Sequence, residues 1–492
     1  MTHNLNNLLA GLDVLEIIGE TDKNVSCLES DSRKVEKDGI FVAVKGVTTD
    51  GHKYIPVVTS ANVAAVVCED FPSTLDKGVT YVKVEDSAKA LGLLASAWYG
   101  HPSAHLTLVG VTGTNGKTTT ATLLYEMAKL EGYKAGLLST VCNYIGEKPV
   151  PSTHTTPDPL TLNHLLAEMV EAGCDYAFME VSSHSTSQKR VAGLNFAGAI
   201  FSNLTRDHLD YHGSVDNYMR AKKAFFDMLD SNAFALVNED DKSGKFMVQN
   251  TKAKVYTYSL RADADFRGKV IETRLDGTLL LLNGHEVEVM FTGRFNAYNL
   301  TAVYGASILC GFNPDEVLVN MSKLVPVAGR FQPFLSPDGI AAIVDYAHTP
   351  DALVNVLDTI RDIVGSEGRI ITVVGAGGNR DAGKRPLMAQ EASCRSDILI
   401  LTSDNPRFED PDEIIEQMAA GLSQDELKRT EKITDRREAI KRAIHLAQPG
   451  NVILIAGKGH EPYQEIKGVK HHFDDAEEVT IALKSKLNNL TT

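Results

Sequence analysis

Residues 110–119 read Gly-Val-Thr-Gly-Thr-Asn-Gly-Lys-Thr-Thr, and their types and spacing suit the binding of phosphates. Glycines let backbone N–H groups turn toward an anion at a helix N-terminus, a lysine reaches the terminal phosphates, and a hydroxyl ligates Mg²⁺. Lys117 and Thr118 fit those last two roles, with Gly113, Thr114, Asn115, Gly116 and Thr119 forming the rest of the loop. One position departs from the G-x-x-x-x-G-K-[ST] pattern: Val111 stands where glycine is asked for, and the glycines fall at Gly110, Gly113 and Gly116. Transfer of a γ-phosphate also needs cations to offset the triphosphate charge. Glu180, ending an apolar run in MEVSSHS, and His208, following the next run in NLTRDHLDYH, are suited to hold them. Lys222 and Lys223 lie in YMRAKKAFFDML; on residue types alone both read as solvated charges, and spacing does not raise one above the other.

Elements must deliver these residues to one place. Leu106 to Val111 is a strand-length apolar run, and Leu123, Leu124, Met127, Ala128 and Leu130 recur at helical spacing before the stop at Gly132. Residues 1–103 alternate short strands (Ile40 to Val44, Ala64 to Cys68, Tyr81 to Val84) with helical segments. Two polar stretches, Asp31-Ser32-Arg33 and Gly46 to Gly51, read there as a cap and a surface turn. Gly100-His101-Pro102-Ser103 reads as a linker. Ala177 to Val181, Ala197 to Ser202 and Phe234 to Asn238 predict a parallel sheet covered by helices. Val270 to Leu275, Thr278 to Leu282 and Glu286 to Phe291, parted by Asp276-Gly277 and Asn283-Gly284, predict an appended antiparallel sheet. Beyond a boundary near residue 331, Ile370 to Val374, Ile398 to Leu401 and Val452 to Ile455 run into the polar loops GAGGNRDAGKRP, TSDNPRFEDP and AGKGHEPYQ. Ligands of open parallel sheets sit at the carboxyl ends of the strands, so those loops predict a second site.

The 492 residues suggest about three domains. The expected class is α/β: a small N-terminal α/β domain (1–103), a central phosphate-loop parallel-sheet ATPase domain with the antiparallel appendage (104–331), and a Rossmann-like C-terminal domain (332–492). A formal charge of −15 argues against nucleic-acid or anionic-membrane partners. Six scattered cysteines without a C-x-x-C pair predict a reducing compartment, with neither zinc nor a disulfide framework. With no basic-then-apolar leader and no run approaching membrane length, the expected location is the cytoplasm.

The string GVTGTNGKTTT, followed in order by EVSSH, NLTRDHLDYHG, a YxxAK helix, GRFNAYN, DYAHTPDAL, GGNRDAGKRP, DNPR and GKGHEPYQ, resembles the Mur ligases of peptidoglycan precursor synthesis. The resemblance runs along almost the whole chain, and the offset glycine spacing is itself the family's form of the loop. It implies an ATP-dependent amide-bond ligase: the γ-carboxylate of D-Glu in UDP-MurNAc-L-Ala-D-Glu is phosphorylated, and a diamino acid's amine attacks the acyl phosphate. It implies that Thr118 and Glu180 bind one Mg²⁺, that His208 binds a second, and that Lys222 carries a CO₂-derived carbamate as a further metal ligand. By the same matching Asn296, Asn299, Arg330, Asp345 and His348 serve the nucleotide. Ser32, Val47, Thr48 and Thr49 serve the uridine end, reversing the bland reading of those loops. Thr155, Thr156, Ser182, Gln188 and Arg190 serve the muramoyl dipeptide, with His154 where the family often has Asn.

The resemblance also sharpens the acceptor. DNPR is the form of diaminopimelate-adding members, with Asp404, Asn405, Pro406 and Arg407 joined by Arg380, Gly457 and Glu461. A guanidinium fork matches the second carboxylate of meso-diaminopimelate, and L-lysine would leave that cation unpaired. The partners are then small molecules and the chain is expected to be a monomer. Competing readings are an L-lysine-adding ligase, another ligase of the superfamily such as a folylpolyglutamate synthetase, or a nucleotide-gated binding protein. The last is disfavoured because the chain lacks an N-K-x-D signature.

Overall fold

The structure is a computed structural model that describes residues 2–46, 49–205, 209–365 and 367–491, with the backbone alone for residues 209, 210 and 489–491. The chain packs as two units: residues 1–113, 124–202 and 216–256 form the first, and residues 114–123, 203–215 and 257–492 the second.

Among the described residues the first unit holds a two-stranded pair, His3–Asn4 with Asn24–Val25, and strands of two larger sheets. In the N-terminal one the spatial order is Val14–Ile18, Thr80–Val84, Ala65–Cys68, Ile40–Val42 and Leu28–Glu29. Its first pair is antiparallel and the others parallel. The helix Ser87–Trp98 covers one face with Leu91, Leu94 and Ala95, and its N-terminus is capped by Asp86, which accepts from the Lys89 N–H. Gly100-His101 stops this helix, both residues having positive φ.

The second sheet is the one the phosphate-loop strand belongs to. Tyr176–Glu180, Thr107–Thr112, Gly198–Phe201 and Phe234–Asn238 lie side by side in parallel. All four are apolar and buried on both faces, as strands sandwiched by helices must be. Register is what matters for chemistry. Glu180 pairs opposite Val111 and Phe201 opposite Thr112, so the ends of three strands lie level.

In the second unit, Phe266–Arg274 pairs in parallel with the end of Lys254–Ser259, and Gly277–Leu282 and His285–Val289 follow antiparallel. The second hairpin turns at Asn283-Gly284, both at positive φ, as expected. The first turns one residue earlier than expected, at Leu275-Asp276, because Gly277 already pairs with Arg274. The C-terminal sheet has the order Gln332–Leu335, Ala341–Asp345, Val452–Ala456, Ile370–Val374, Ile398–Leu401 and Thr430–Lys432, parallel except for its first pair. Helices Pro350–Val364, Lys384–Arg395 and Pro411–Ala419 bury one face, and Arg436–Leu446 with Asp475–Thr491 the other. Among the described residues no helix is long and apolar enough to cross a membrane.

Candidate active site

The phosphate loop is held by a strand end that sequence reasoning noticed only for its histidine. Asn203 accepts from the Asn115 N–H through Oδ1 (2.9 Å), donates from Nδ2 to the Asn115 carbonyl (3.1 Å), and accepts from the Thr114 N–H at its own carbonyl (2.8 Å). The Thr205 N–H adds a bond to the Thr114 hydroxyl (3.0 Å). Behind the loop, Gly116 lies at φ +87°, and a Cβ there would come within 2.4 Å of Asn299 Oδ1. Only glycine permits that approach. Asn299 therefore backs the phosphate loop, and Asn296 links to it (3.3 Å) while donating to the Thr292 carbonyl (2.9 Å). Lys117 opens the helix Lys117–Leu130 and its Nζ folds back on the Thr114 carbonyl (2.8 Å). Thr118 and Thr119 are buried, and the Thr118 hydroxyl accepts from Arg330 Nη2 (3.3 Å).

Arg330 leads to the C-terminal sheet. Its guanidinium stacks over the Tyr346 ring (4.4 Å to the centroid), and Tyr346 follows Asp345, the last residue of its strand. Asp345 accepts from the Phe331 and Ala347 N–H groups (2.7 Å each). Burial nonetheless holds its carboxyl above the usual range, with Arg330 opposing. His348 bonds the Tyr346 carbonyl through Nδ1 (2.8 Å). Next to these, burial together with Arg330, Lys458 and His348 pushes the His460 imidazole down to about 3, so it is neutral at physiological pH.

The loops after Leu401 and Ala456 bring several charged side chains together. Asn405 Oδ1 accepts from the Glu465 N–H (2.8 Å) and from Lys458 Nζ (3.2 Å), and Nδ2 donates to Glu461 Oε2 (2.7 Å). Asp404 and Lys458 are buried, and Gly457, at φ +117°, leaves room for Asp404 Oδ2, which a Cβ would meet at 2.5 Å. Arg407 follows Pro406 at φ +53°, a conformation a non-glycine residue adopts at a cost of about 1–2 kcal/mol. Its Nη1 donates to the Gly378 carbonyl (2.7 Å) and its Nε lies 3.3 Å from Glu465 Oε2. L-Lysine would therefore not leave this cation unpaired, contrary to expectation, since Glu465 is already a counter-charge. Arg380 is exposed.

The first unit gathers the residues matched to the muramoyl dipeptide. Thr156 Oγ1 donates to the Glu180 carbonyl (2.9 Å) and accepts from the Ser182 N–H (3.1 Å). Arg190 donates to the Thr156 carbonyl (2.7 Å) and, from Nε and Nη2, to Gln188 Oε1 (3.0 and 2.7 Å). Thr140 joins both ends, donating its N–H to Glu180 Oε1 (2.7 Å) and its hydroxyl to Thr155 (2.9 Å). One network thus contains Thr155, Thr156, Glu180, Ser182, Gln188 and Arg190. His154 is exposed and bonds Thr153 instead. In the N-terminal sheet's loops, Ser32 sits in a turn closed by Asp31 and Arg33, and the Thr49 carbonyl accepts from the Gly46 N–H (3.0 Å). Val47, Thr48 and His208 lie outside the described residues.

The solvated-charge reading of Lys222 and Lys223 is wrong for both. Lys222 is 1% exposed; its Nζ donates to the Gly113 carbonyl (2.7 Å) and lies over the Tyr218 ring (4.5 Å). Lys223 is also buried and pairs with Asp227 (2.5 Å). The helix Val215–Asp227 turns both lysines inward, which apolar spacing alone did not reveal.

The donors suit Mg²⁺. The Thr118 hydroxyl and the Glu180 carboxylate, which belong to different units, are each hard oxygens of the kind Mg²⁺ takes.

A phosphate loop and a charged cluster at the carboxyl ends of a doubly wound sheet define a nucleotide-dependent α/β enzyme. The chain belongs to the Mur ligase family: residues 24–99 match the model described as Mur ligase family, catalytic domain, residues 111–307 the Mur ligase middle domain, and residues 329–459 the Mur ligase, glutamate ligase domain. It is 60% identical over 475 residues to a Parabacteroides distasonis protein named UDP-N-acetylmuramoyl-L-alanyl-D-glutamate--2,6-diaminopimelate ligase, covering 96% of this chain and 98% of that one. A Clostridioides difficile protein of the same name is 41% identical over 481 residues, with coverage of 96% and 98%. A solved structure with that ligase's name is 34% identical with a TM-score of 0.71, covering 99% and 100% of the two chains. MurF from Thermotoga maritima in complex with ADP shares the fold at 19% identity and a TM-score of 0.59, covering 94% and 98%.

Proposed function

We propose that this protein is an ATP-dependent ligase that joins meso-2,6-diaminopimelate to the D-Glu γ-carboxylate of UDP-N-acetylmuramoyl-L-Ala-D-Glu. The observation that carries the reading is the pocket of Asp404, Asn405, Arg407 and Glu461, which offers a guanidinium and carboxylates to a ligand bearing both charges. Sixty per cent identity to a ligase of that name supports it.

In this account the substrate carboxylate attacks the γ-phosphorus of ATP, ADP leaves, and an acyl phosphate forms. The acceptor amine then attacks the acyl carbon, and the tetrahedral adduct loses phosphate and a proton to give the amide. Splitting the reaction in two replaces a poor leaving group by a good one. Lys117 and the loop N–H groups hold the β- and γ-phosphates. Arg330, Asp345 and His348 attend the nucleotide, and Asn296 and Asn299 support the loop. Thr118, Glu180, His208 and a carbamate on Lys222 are the proposed Mg²⁺ ligands, and bound Mg²⁺ offsets the negative charge of the phosphates. The carbamate forms from the neutral Lys222 amine and CO₂ with loss of one proton, at a buried amine beside the Gly113 carbonyl and the Tyr218 ring. Ser32 and residues 47–49 receive the uridine, and the Thr156–Arg190 network the dipeptide. Domain limits near residues 103 and 331, a monomeric state and a cytoplasmic location complete the proposal.

The test is release of ADP and phosphate by purified protein with ATP and Mg²⁺. It should require both the UDP-dipeptide and meso-diaminopimelate. Turnover without an acceptor would favour the binding-protein alternative, and equal turnover with L-lysine would remove the acceptor assignment.

A further inference from the structure

The GKGHE loop supplies a buried cation to which the account above gives no role. Lys458 is 0% exposed. Its Nζ lies 3.2 Å from Asn405 Oδ1, 3.6 Å from Glu461 Oε2 and 3.9 Å from Asp404 Oδ1, with the Tyr463 ring at 5.5 Å. Burying an ammonium is costly unless it is paired, so this placement needs a reason. We propose that Lys458 is the positioning residue of the acceptor pocket: its ammonium fixes the Asn405 amide and holds Asp404 and Glu461 together as a seat of net charge −1 for an ammonium group of the diamino acid. The inference rests on the acceptor reading given above.

Two observations support it. The Asn405 amide has a single satisfied orientation, because Oδ1 faces two donors, Lys458 Nζ and the Glu465 N–H, while Nδ2 faces the Glu461 acceptor. Removing Lys458 leaves Oδ1 one donor short and puts two carboxylates beside each other. The second concerns charge. Burial and Asp404 both push the Glu461 carboxyl above its usual range, and Lys458 with the Asn405 amide opposes them. The other groups facing this cluster are the Tyr346 hydroxyl, 3.5 Å from Glu461 Oε1, the Tyr463 ring, His460 on the same loop, and the buried Arg436–Asp475 pair. Arg436 is neutralised by Asp475 at 2.7 Å, which leaves Lys458 as the cation in direct reach of Glu461.

Without Lys458, nothing in direct reach offsets burial and Asp404, so the Glu461 carboxyl shifts further up and holds an ammonium less well. The full-length Lys458→Met variant should then show a KM for meso-diaminopimelate raised about tenfold or more at neutral pH. The KM values for ATP and UDP-dipeptide should stay within about twofold, and the acceptor KM should fall back toward wild type as pH is raised, since a carboxyl pushed up is ionised by alkali. A merely structural lysine would move all three KM values or lower the thermal midpoint, with no recovery at high pH. An unchanged acceptor KM, or equal changes in all three, overturns the proposal. Lys458→Gln gives the same reading if the methionine variant does not fold. Wild type that shows no acceptor-dependent turnover would instead remove the activity reading beneath it.

Discussion

The phosphate loop and the acceptor pocket lie in the same unit and solve opposite electrostatic problems. Around Thr114 and Asn115 the described contacts are mainly with dipoles: backbone N–H groups, the Asn203 amide and the Asn299 amide, with Lys117 resting on a carbonyl and Arg330 donating to the Thr118 hydroxyl. Around Asn405 they are charged and already balanced: Arg407 against Glu465, and Lys458 against Asp404 and Glu461. The difference follows from the ligands. A triphosphate brings a large charge of one sign, which dipoles and cations meet, whereas a zwitterionic amino acid must find each of its charges matched.

The largest expected effect breaks the dipolar side. Lys117→Ala should lower kcat by about 10³-fold, since it removes the one loop cation that meets charge on the transferring phosphoryl group. Steady-state kinetics with all three substrates read it, and the acceptor KM should hardly move. On the charged side, Arg407→Ala should lower kcat/KM for meso-diaminopimelate by about 10²-fold through KM, leaving the ATP KM intact. Equal losses in both KM values would mean that the two regions are not separable.

A smaller change sharpens the contrast. Glu465 occupies Arg407 when the ligand is absent, so Glu465→Gln should lower the acceptor KM by about threefold and widen discrimination against L-lysine. Competition assays with the two diamino acids measure it.

The smallest effect is read in stability. Because the folded His460 imidazole is pushed down to about 3 by burial and neighbouring cations, it stays neutral while the unfolded chain binds a proton below its ordinary value of 6.5. Stability is therefore lost as pH falls through the window between those values. His460→Gln should reduce the loss between pH 7 and 5 by about 2 kcal/mol relative to wild type, measured by urea unfolding. The comparison with wild type matters because the raised Asp345 and Glu461 carboxyls act in the opposite direction.

What the sequence made legible divides along the same line. Buried parallel strands such as Ile370–Val374 and Phe234–Asn238 are continuous apolar runs, so their limits could be read directly. The phosphate loop is local, with every residue inside one strand-turn-helix. The acceptor pocket is not. Lys458 is buried only because loops following two separate strands fold over it, and in GKGHE it looks like any solvated lysine. Glu465 reaches Arg407 from a two-stranded hairpin, Tyr463–Ile466 with Val469–His472, that carries no pattern pointing to position 407. Asn203 was passed over because His208 drew attention to the same stretch. Lys222 could not be told from Lys223, as both lie on the inward face of one helix.

The central claim is that the balanced pocket exists to receive a diamino acid with carboxylates at both ends. Mass spectrometry of the nucleotide-sugar product, after incubation with ATP, Mg²⁺, UDP-MurNAc-L-Ala-D-Glu and an equimolar mixture of meso-diaminopimelate and L-lysine, tests it most directly. The account predicts a single product heavier by one diaminopimelate residue. A product heavier by one lysine residue, in comparable amount, would contradict it.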